Sequence, residues 1–506
     1  MNSPTLASLP SLTWQSFNNN AFFLIFSIFF ISPIWLTEIP PMVDIPQHAS
    51  QIATLKQLLE GADNDNLRAF EINWFTPYLT GYLLGTALLT VFPIQVAIKL
   101  LLSAAMLTTF ILTGMLLKTV GADERWKWLT LPSIYGYCFN WGFLNFIVAT
   151  PLGLLFLLLS VRYSRSRNIA FPVSIAFLSI MLFFSHIIIL SFMSLLAISY
   201  HFAVHHSDIK TFIQKCWPYT MPIPLIVIWG INTYLGESQV STATTVWRYG
   251  IHRITELRLH YAGFEQDGME YLLAIFLMCI PFFFRARFNK SPTRWLPFLT
   301  GLLVYLLFPL HTFGTAFLYP RFGGFLPVLW YMAWDTPSSH QKHQKKSWAI
   351  LIILVGILAF HLTRFGLFAS EQRHFHQILD AMEPGKKSLS LVYTNKAPGF
   401  HVPVYLHMPA WYQATKLGVS DFSFALFMPE MVRYTKEARS NVASIKAGAC
   451  CYHKGFKWGP MDQQYTYFVV RKKNDIGEDA FGGRAILEKQ SGLWWLYKNN
   501  EASDGQ

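Results

Sequence analysis

Long apolar segments recur along most of the chain, and they constrain its fold more than any other feature of the sequence. A helix that crosses the hydrocarbon core of a bilayer needs about 20 mostly apolar residues. The predicted spans are 21–36, 77–92, 94–117, 129–140, 146–161, 171–185, 187–200, 219–234, 271–284, 296–310, 322–334 and 348–368. Several are short, so we expect some of them to be tilted or broken. The sequence therefore predicts an α-helical polytopic membrane protein with about 10 to 13 transmembrane helices.

The composition and the placement of charge agree with this class. Of the 506 residues, 53% are hydrophobic and 13% are charged, against about 25% charged in average soluble domains. Basic clusters at residues 162–167, 285–294 and 342–346 separate apolar segments, and the positive-inside rule assigns them to cytoplasmic loops. The net charge of +12 then reflects topology and contacts with membrane lipids. No nucleic-acid partner is expected.

The pattern changes after residue 368, where the apolar density falls. Residues 373–382 have a helical pattern, and 388–394, 465–471 and 493–497 alternate like strands. We predict a polytopic transmembrane domain at 1–368 and a small C-terminal α/β domain at 369–506. Because the last span follows the basic cluster at 342–346, this second domain is predicted to be extracytoplasmic.

Cysteine and histidine residues in the C-terminal part show no metal-site or disulfide spacing. Cys450 and Cys451 are adjacent and lack a CxxC spacing, so we interpret them as two free thiols. The histidines have no standard ligand spacing either, and they are predicted to be surface residues: His374, His376, His401, His407 and His453.

The loop after the first span, residues 37–76, contains the strongest catalytic candidate. It begins TEIPPMVDIPQHASQ, with Asp44 ahead of Pro46 and of a predicted helix over 48–60. Two interpretations of Asp44 stay open, a helix N-cap and a catalytic carboxylate. Glu38 is the second and weaker acidic candidate. The apolar residues of the predicted helix form one face, which is suited to lying on the membrane surface: Ile52, Leu55, Leu58 and Leu59.

An acidic residue outside a first span, a short interfacial helix and an aromatic-Pro-Tyr entry from Trp74 to Tyr78 together resemble the GT-C superfamily of integral-membrane glycosyltransferases. The resemblance covers about residues 21–368 as architecture. It implies transfer of a sugar from a polyprenyl-phosphate carrier to an extracytoplasmic glycan, lipid or protein acceptor, with inversion at the anomeric carbon and Asp44 as general base. The family loop commonly has two neighbouring acids, whereas here His48 follows Asp44. That departure leaves a divalent metal an open question, and no metal ligands are predicted.

A departing polyprenyl phosphate carries growing negative charge, so such a site needs a cation at the outer membrane face. Arg321, in the segment HTFGTAFLYPRF, is the first candidate, and Arg248 and Arg253 are alternatives. Contacts with lipid headgroups are the competing interpretation for all three. The remaining predicted substrate-binding residues are His48, His186, Trp74 and Tyr78.

Two other functions stay open. A transporter of a lipid-linked glycan or solute would use a similar cavity, and a non-catalytic GT-C-like partner would serve surface-polysaccharide assembly. The chain has no Walker A loop and no dinucleotide glycine fingerprint, so ATP-driven transport and direct use of a nucleotide sugar lack support. We expect the protein to be integral to the plasma membrane, the bacterial inner membrane.

Overall fold

A computed structural model of the chain describes residues 17, 19–62, 64–234, 245–264, 268–312, 315–336, 344–427, 429–440 and 456–499. The predictions for Cys450, Cys451 and His453 lie outside these residues. The α-helices are α1 Asn20–Ile31, α2 Ile45–Leu59, α3 Leu79–Leu89, α4 Ile94–Val120, α5 Tyr137–Trp141, α6 Leu144–Ser164, α7 Ala170–Ser185, α8 Ile187–His205, α9 Ile209–Cys216, α10 Ile223–Tyr234, α11 Ile251–Ala262, α12 Met269–Phe283, α13 Pro292–Leu307, α14 Leu318–Gly323, α15 Leu326–Met332, α16 Gln344–Ala381, α17 Trp411–Lys416 and α18 Lys436–Ser440. The strands are β1 Phe70–Ile72, β2 Lys387–Val392, β3 Val419–Ser420, β4 Val432–Tyr434, β5 Tyr467–Arg471, β6 Ala485–Ser491 and β7 Trp494–Asn499.

Apolar helices form the larger part of the molecule. Within the described ranges, α4, α6, α8 and most of α16 are long and apolar enough to cross a membrane, and α1, α3, α7, α10 and α12 are shorter apolar helices. α6 packs along α4, α7 and α8. Large side chains such as Phe29, Leu272 and Ile352 point outward, as lipid-facing residues do. The predicted class, a helical membrane protein with a small C-terminal sheet, is confirmed.

Two of the predicted spans are not single crossings. Residues 129–140 lie mostly in a 3₁₀-helix, Glu124–Tyr135, which contains Pro132 and is followed by the short α5. Residues 322–334 fall into α14 and α15, which are too short to cross a bilayer alone. Segment 171–200, by contrast, is the predicted pair of helices, α7 and α8, which meet at His186.

Helix α2 is buried in the protein, so its predicted position on the membrane surface is wrong. Ile52 and Leu55 are fully buried, and α2 packs against α3 and α17. The glycines of α3 allow the close approach of α2 at Gly85 and of α6 at Gly81. A Cβ at Gly81 would lie 2.1 Å from Asn145 Oδ1, and one at Gly85 would lie 2.5 Å from Ile52 Cδ1.

A five-stranded mixed sheet forms the C-terminal part. Its strand order is β3-β2-β5-β7-β6, with β2 parallel to β3 and β5, and with β7 antiparallel to β5 and β6. Strands β2, β5 and β7 occupy the three segments predicted to be strands, whereas β3, β4 and β6 were not predicted. α16 continues through residue 368 to Ala381, so the proposed domain boundary stays a prediction.

The C-terminal part is bound to the first loop by a second, smaller sheet. β1 of that loop pairs antiparallel with β4. Two glutamines on one face of α2 also hydrogen-bond to the backbone of C-terminal residues. Each uses its amide NH2 group as a donor and its amide oxygen as an acceptor. Gln47 contacts the carbonyl of Phe422 at 2.9 Å and the N–H of Phe424 at 3.0 Å. Gln51 contacts the carbonyl and the N–H of Val432 at 3.1 and 3.0 Å.

Candidate functional site

A cavity of about 450 Å³ lies where the first loop, α6, α14 and the C-terminal segments meet. We call it the first-loop cavity. Its polar lining residues are Asp44, His48, Tyr78, Asn145, His186, Thr315, Arg321, His407 and Glu430. Its aromatic walls are Trp141, Phe143, Phe146, Phe317, Phe422, Phe424 and Phe427. The fold thus brings together five residues predicted from distant parts of the sequence.

Asp44 occupies the N-cap position of α2, but its side chain makes no capping hydrogen bond. Its backbone N–H donates to the Trp141 carbonyl at 3.0 Å, which fixes the loop against α5. Gly142 makes this contact close: its φ is 81°, and a Cβ there would lie 2.8 Å from the Asp44 nitrogen. The carboxylate is therefore held at the cavity wall without being used as a cap.

Arg321 is buried beside the same cavity and is held by backbone and ring contacts. Its Nε and Nη2 donate to the carbonyls of Phe317 at 3.3 Å and Ala316 at 3.1 Å. The guanidinium carbon lies 3.8 Å from the centre of the Phe143 ring, a favourable cation–π position. Within the described part of the chain it forms no direct ion pair, so its charge is available to the cavity.

Burial and Arg321 together set the acidity of the site. Burial raises the pKa of Asp44 to about 8, with a further increase from Glu430, and the Arg321 charge opposes both. Burial likewise raises the pKa of Glu430 to about 7, against the Tyr82 hydrogen bond and Arg321. Two carboxyl groups that titrate near neutral pH therefore face one cavity, and this is the range in which acid–base catalysis is effective.

His407 is neutral near pH 7, because burial lowers its pKa to about 3. Its Nε2 lies 3.6 Å from Asp44 Oδ1, which is too long for a good hydrogen bond. The ring stacks on Phe422, with centroids 5.2 Å apart and an angle of 14°. His407 is thus an oriented polar wall of the cavity rather than the partner of a salt bridge.

A hydrogen-bonded chain leads away from Glu430. Tyr82 donates its hydroxyl proton to the Glu430 carboxylate, and His48 Nδ1 lies 2.8 Å from the Tyr82 oxygen. Because that hydroxyl has a single proton, His48 donates from Nδ1 when Glu430 is ionised. If Glu430 takes up a proton, the direction of both hydrogen bonds can reverse.

Sequence reasoning missed His407 and Glu430. The expectation that His407 is a surface residue is wrong, since it is 8% exposed. Glu430 follows the aromatic-rich stretch FSFALFMP, and an isolated acid in such surroundings is a sign of a buried carboxyl. That sign does not indicate which cavity the acid would face.

The other predicted residues lie elsewhere. Glu38 contacts Gln95 at 3.0 Å and His376 at 3.1 Å, outside the first-loop cavity, and Trp74 is 53% exposed. Arg253 donates to three backbone carbonyls at 2.6 to 2.8 Å, so it holds the backbone together. Arg248 pairs with Glu256 at 3.1 Å on a neighbouring cavity.

His186 and Tyr78 pack on each other, with ring centroids 5.2 Å apart, at the wall of the first-loop cavity. The sequence leaves a divalent metal an open question. Among the described residues, no three or more His, Cys, Asp or Glu side chains are grouped so that they could hold such an ion.

No protein-family model and no curated protein matches the chain. A solved structure does: the crystal structure of ArnT from Cupriavidus metallidurans bound to undecaprenyl phosphate. The alignment covers 96% of this chain and 100% of that chain, with a TM-score of 0.51 and 10% sequence identity. The chain has the GT-C fold. At this identity the similarity concerns the fold alone, and the GT-C resemblance inferred from the first loop is confirmed as an architecture.

Within this fold, the first-loop cavity combines a carboxyl group that titrates near neutral pH with a guanidinium that forms no ion pair among the described residues. The first can accept a proton from a hydroxyl, and the second can stabilise a developing oxyanion. The aromatic walls suit a sugar ring or an apolar chain. These are the chemical abilities of the arrangement.

Proposed function

We propose that the protein is a membrane glycosyltransferase that moves a sugar from a polyprenyl-phosphate carrier to an extracytoplasmic acceptor. The observation that carries this proposal is that Asp44 and Arg321 line one cavity in a chain with the GT-C fold. The carrier class is supported by ArnT, which was crystallised bound to undecaprenyl phosphate. The protein would work in the plasma membrane, with the cavity and the C-terminal part on the outer side.

In the proposed reaction Asp44 is the general base. Its carboxylate takes the proton of an acceptor hydroxyl while that oxygen forms a bond to the anomeric carbon. The bond between the anomeric carbon and the carrier phosphate oxygen breaks, and its electron pair leaves with the phosphate. Arg321 stabilises the negative charge that grows on this leaving group.

The raised pKa of Asp44 fits this role in two ways. A carboxylate with a pKa of about 8 is a stronger base than an exposed aspartate, and it is still ionised in part near neutral pH. Asp44 lies at the N-terminus of α2, and the partial positive charge of a helix N-terminus stabilises the ionised carboxylate. Glu430, whose pKa burial raises to about 7, lines the same cavity.

Mass spectrometry of lipid extracts and surface glycans tests the proposal in cells that express the native chain, a deletion, Asp44→Asn or Arg321→Gln. We expect the deletion and both variants to lose one glycan substituent and to accumulate a polyprenyl-phosphate sugar. The matched control is Asp65→Asn, an exposed acid of the same loop that pairs with Arg68. It should behave as the native chain does.

The two rival functions predict different results. If Asp44→Asn keeps the glycan substituent while the deletion loses it, Asp44 is not the base, and a scaffold or a transporter explains the phenotype better. If the sugar carrier accumulates on the inner side of the membrane instead of the outer side, transport across the bilayer is the function that is lost.

A further inference from the structure

A second cavity, of about 520 Å³, adjoins the first. We call it the arginine cavity. Its charged and polar lining includes Arg248, His252, Thr255, Glu256, Arg258, Arg364, Asn140 and His401. Trp141 and Phe317 line both cavities, and their rings lie 4.2 Å apart. This aromatic pair is the wall between the two cavities.

Two of the three arginines already have carboxylate partners. Arg248 pairs with Glu256 at 3.1 Å, and Arg258 pairs with Glu270 at 3.0 Å. Arg364 has no carboxylate partner within the described ranges. The lining of the arginine cavity therefore has an excess of positive charge, and the excess is located at Arg364.

Arg364 is 3% exposed, on α16. Its Nη2 lies 3.4 Å from Asn140 Oδ1, a marginal hydrogen bond, and its Nε has no partner in the described part of the structure. Its guanidinium carbon lies 4.5 Å from the centre of the Phe400 ring. A guanidinium stays charged in proteins, and burying it with so few acceptors is costly. The contacts that Arg364 makes among the described residues do not offset that cost in full.

We propose that the arginine cavity is an oxyanion-binding site, in which Arg364 contacts the phosphate or carboxylate of a saccharide headgroup. Arginine presents a planar set of donors that matches the oxygens of these groups. The aromatic side chains of Tyr137, Trp141 and Tyr271 in the same lining give a sugar ring surfaces to stack on. The volume suits a ligand of this size. This site is distinct from Arg321, and it does not depend on the proposed chemistry at Asp44.

Binding is measured on the full chain in nanodiscs of uncharged lipid, by calorimetry with glucose 1-phosphate and with glucose. All proteins in the test carry Arg321→Gln, so that the first-loop cavity does not contribute a second anion site. We expect saturable binding of glucose 1-phosphate and none of glucose. Arg364→Gln should weaken the binding by about 30-fold or more, as expected for loss of a buried charged partner.

Two further variants keep the test decisive. Arg373→Gln changes an exposed arginine of the same helix and should bind as the parent does. Thr255→Trp fills the cavity from α11 without changing Arg364, so it should also abolish binding even if Arg364→Gln folds poorly. Binding that is unaffected by both Arg364→Gln and Thr255→Trp overturns the proposal.

A lipid arm identifies the source of the oxyanion. Native mass spectrometry with phosphatidic acid in the nanodiscs compares retention of the lipid by the parent and by Arg364→Gln. Retention that depends on Arg364, without binding of glucose 1-phosphate, keeps the oxyanion site but overturns its assignment to a saccharide headgroup. Because these readouts measure binding, a failure of the glycosyltransferase proposal at Asp44 leaves them unchanged and can be recognised separately.

Discussion

Gln51 on α2 holds the segment that carries Glu430, and replacing it with leucine should release that segment. In the β1–β4 sheet, the Asn73 N–H donates to the Met431 carbonyl, and the Thr435 N–H donates to the Ala69 carbonyl. Hydrogen-bonded and non-hydrogen-bonded pairs alternate along an antiparallel ladder, so Val432 lies at a non-hydrogen-bonded position. The N–H and the carbonyl of Val432 therefore point away from β1. Both are satisfied by the Gln51 amide, at 3.0 and 3.1 Å.

The size of the effect follows from these two bonds. Val432 is 1% exposed and Gln51 is 2% exposed, so water does not replace the lost partner in the folded state. Each buried backbone group left unpaired costs about 1–3 kcal/mol, and Gln51→Leu leaves two of them, for a total of about 2–6 kcal/mol. If this cost lowers the free energy of local opening by at least about 2 kcal/mol, the backbone amides of residues 431–434 should exchange their hydrogens at least about 30-fold faster.

Hydrogen exchange of the detergent-purified protein, read by mass spectrometry on peptides that cover residues 429–436, measures this directly. Gln57→Leu makes the same substitution on the same helix, where no side-chain hydrogen bond to the described C-terminal residues exists. Native-like protection of residues 431–434 in Gln51→Leu would refute the reasoning.

Three further predictions follow from the geometry. If Asp44 is the proposed base, the rate of the proposed transfer should rise with pH from about 7 to 9, because a base acts when ionised and burial raises the pKa of Asp44 to about 8; a flat pH profile of initial rates would contradict this. Gly81→Ala places a methyl group 2.1 Å from Asn145 Oδ1 and should cost about 1–3 kcal/mol, seen as a lower Tm, whereas Gly356→Ala, with no atom near its Cβ, should not lower it. Arg253→Gln breaks three hydrogen bonds from a buried guanidinium to backbone carbonyls and should lower stability by about 3 kcal/mol or more, while the KM of the protein that stays folded is unchanged.

The helical class and the three central strands of the C-terminal sheet could be predicted because both depend on local patterns. Apolar length indicates a span, and alternation indicates a strand. The points at which predicted spans are interrupted were harder to predict. Residues 129–140 are apolar enough to suggest a span, but Pro132 and the turns around Gly136 and Gly142 determine a different path. The burial of α2 also depends on contacts with α3 and α17, which are distant in sequence.

Part of the candidate site could also be predicted from the sequence, because it too depends on local sequence patterns. Asp44 has a recognisable loop context, and Arg321 is a lone cation between apolar segments. The structure adds His407 and Glu430, whose positions depend on long-range contacts. Glu430 reaches the cavity because β4 pairs with β1 and because Gln51 binds Val432. No local pattern in residues 421–430 encodes those contacts.

These contacts bear on how the two predicted domains relate to function. α16 runs without interruption from the membrane-spanning part to Ala381, and the first-loop cavity is lined from both sides of residue 368. Removing the C-terminal part would take away Glu430 and the aromatic wall at Phe422, and it would remove the backbone partners of the Gln47 and Gln51 amides. The C-terminal part is therefore a component of the cavity itself. The chemistry proposed at Asp44 would therefore depend on the docking of that part against α2.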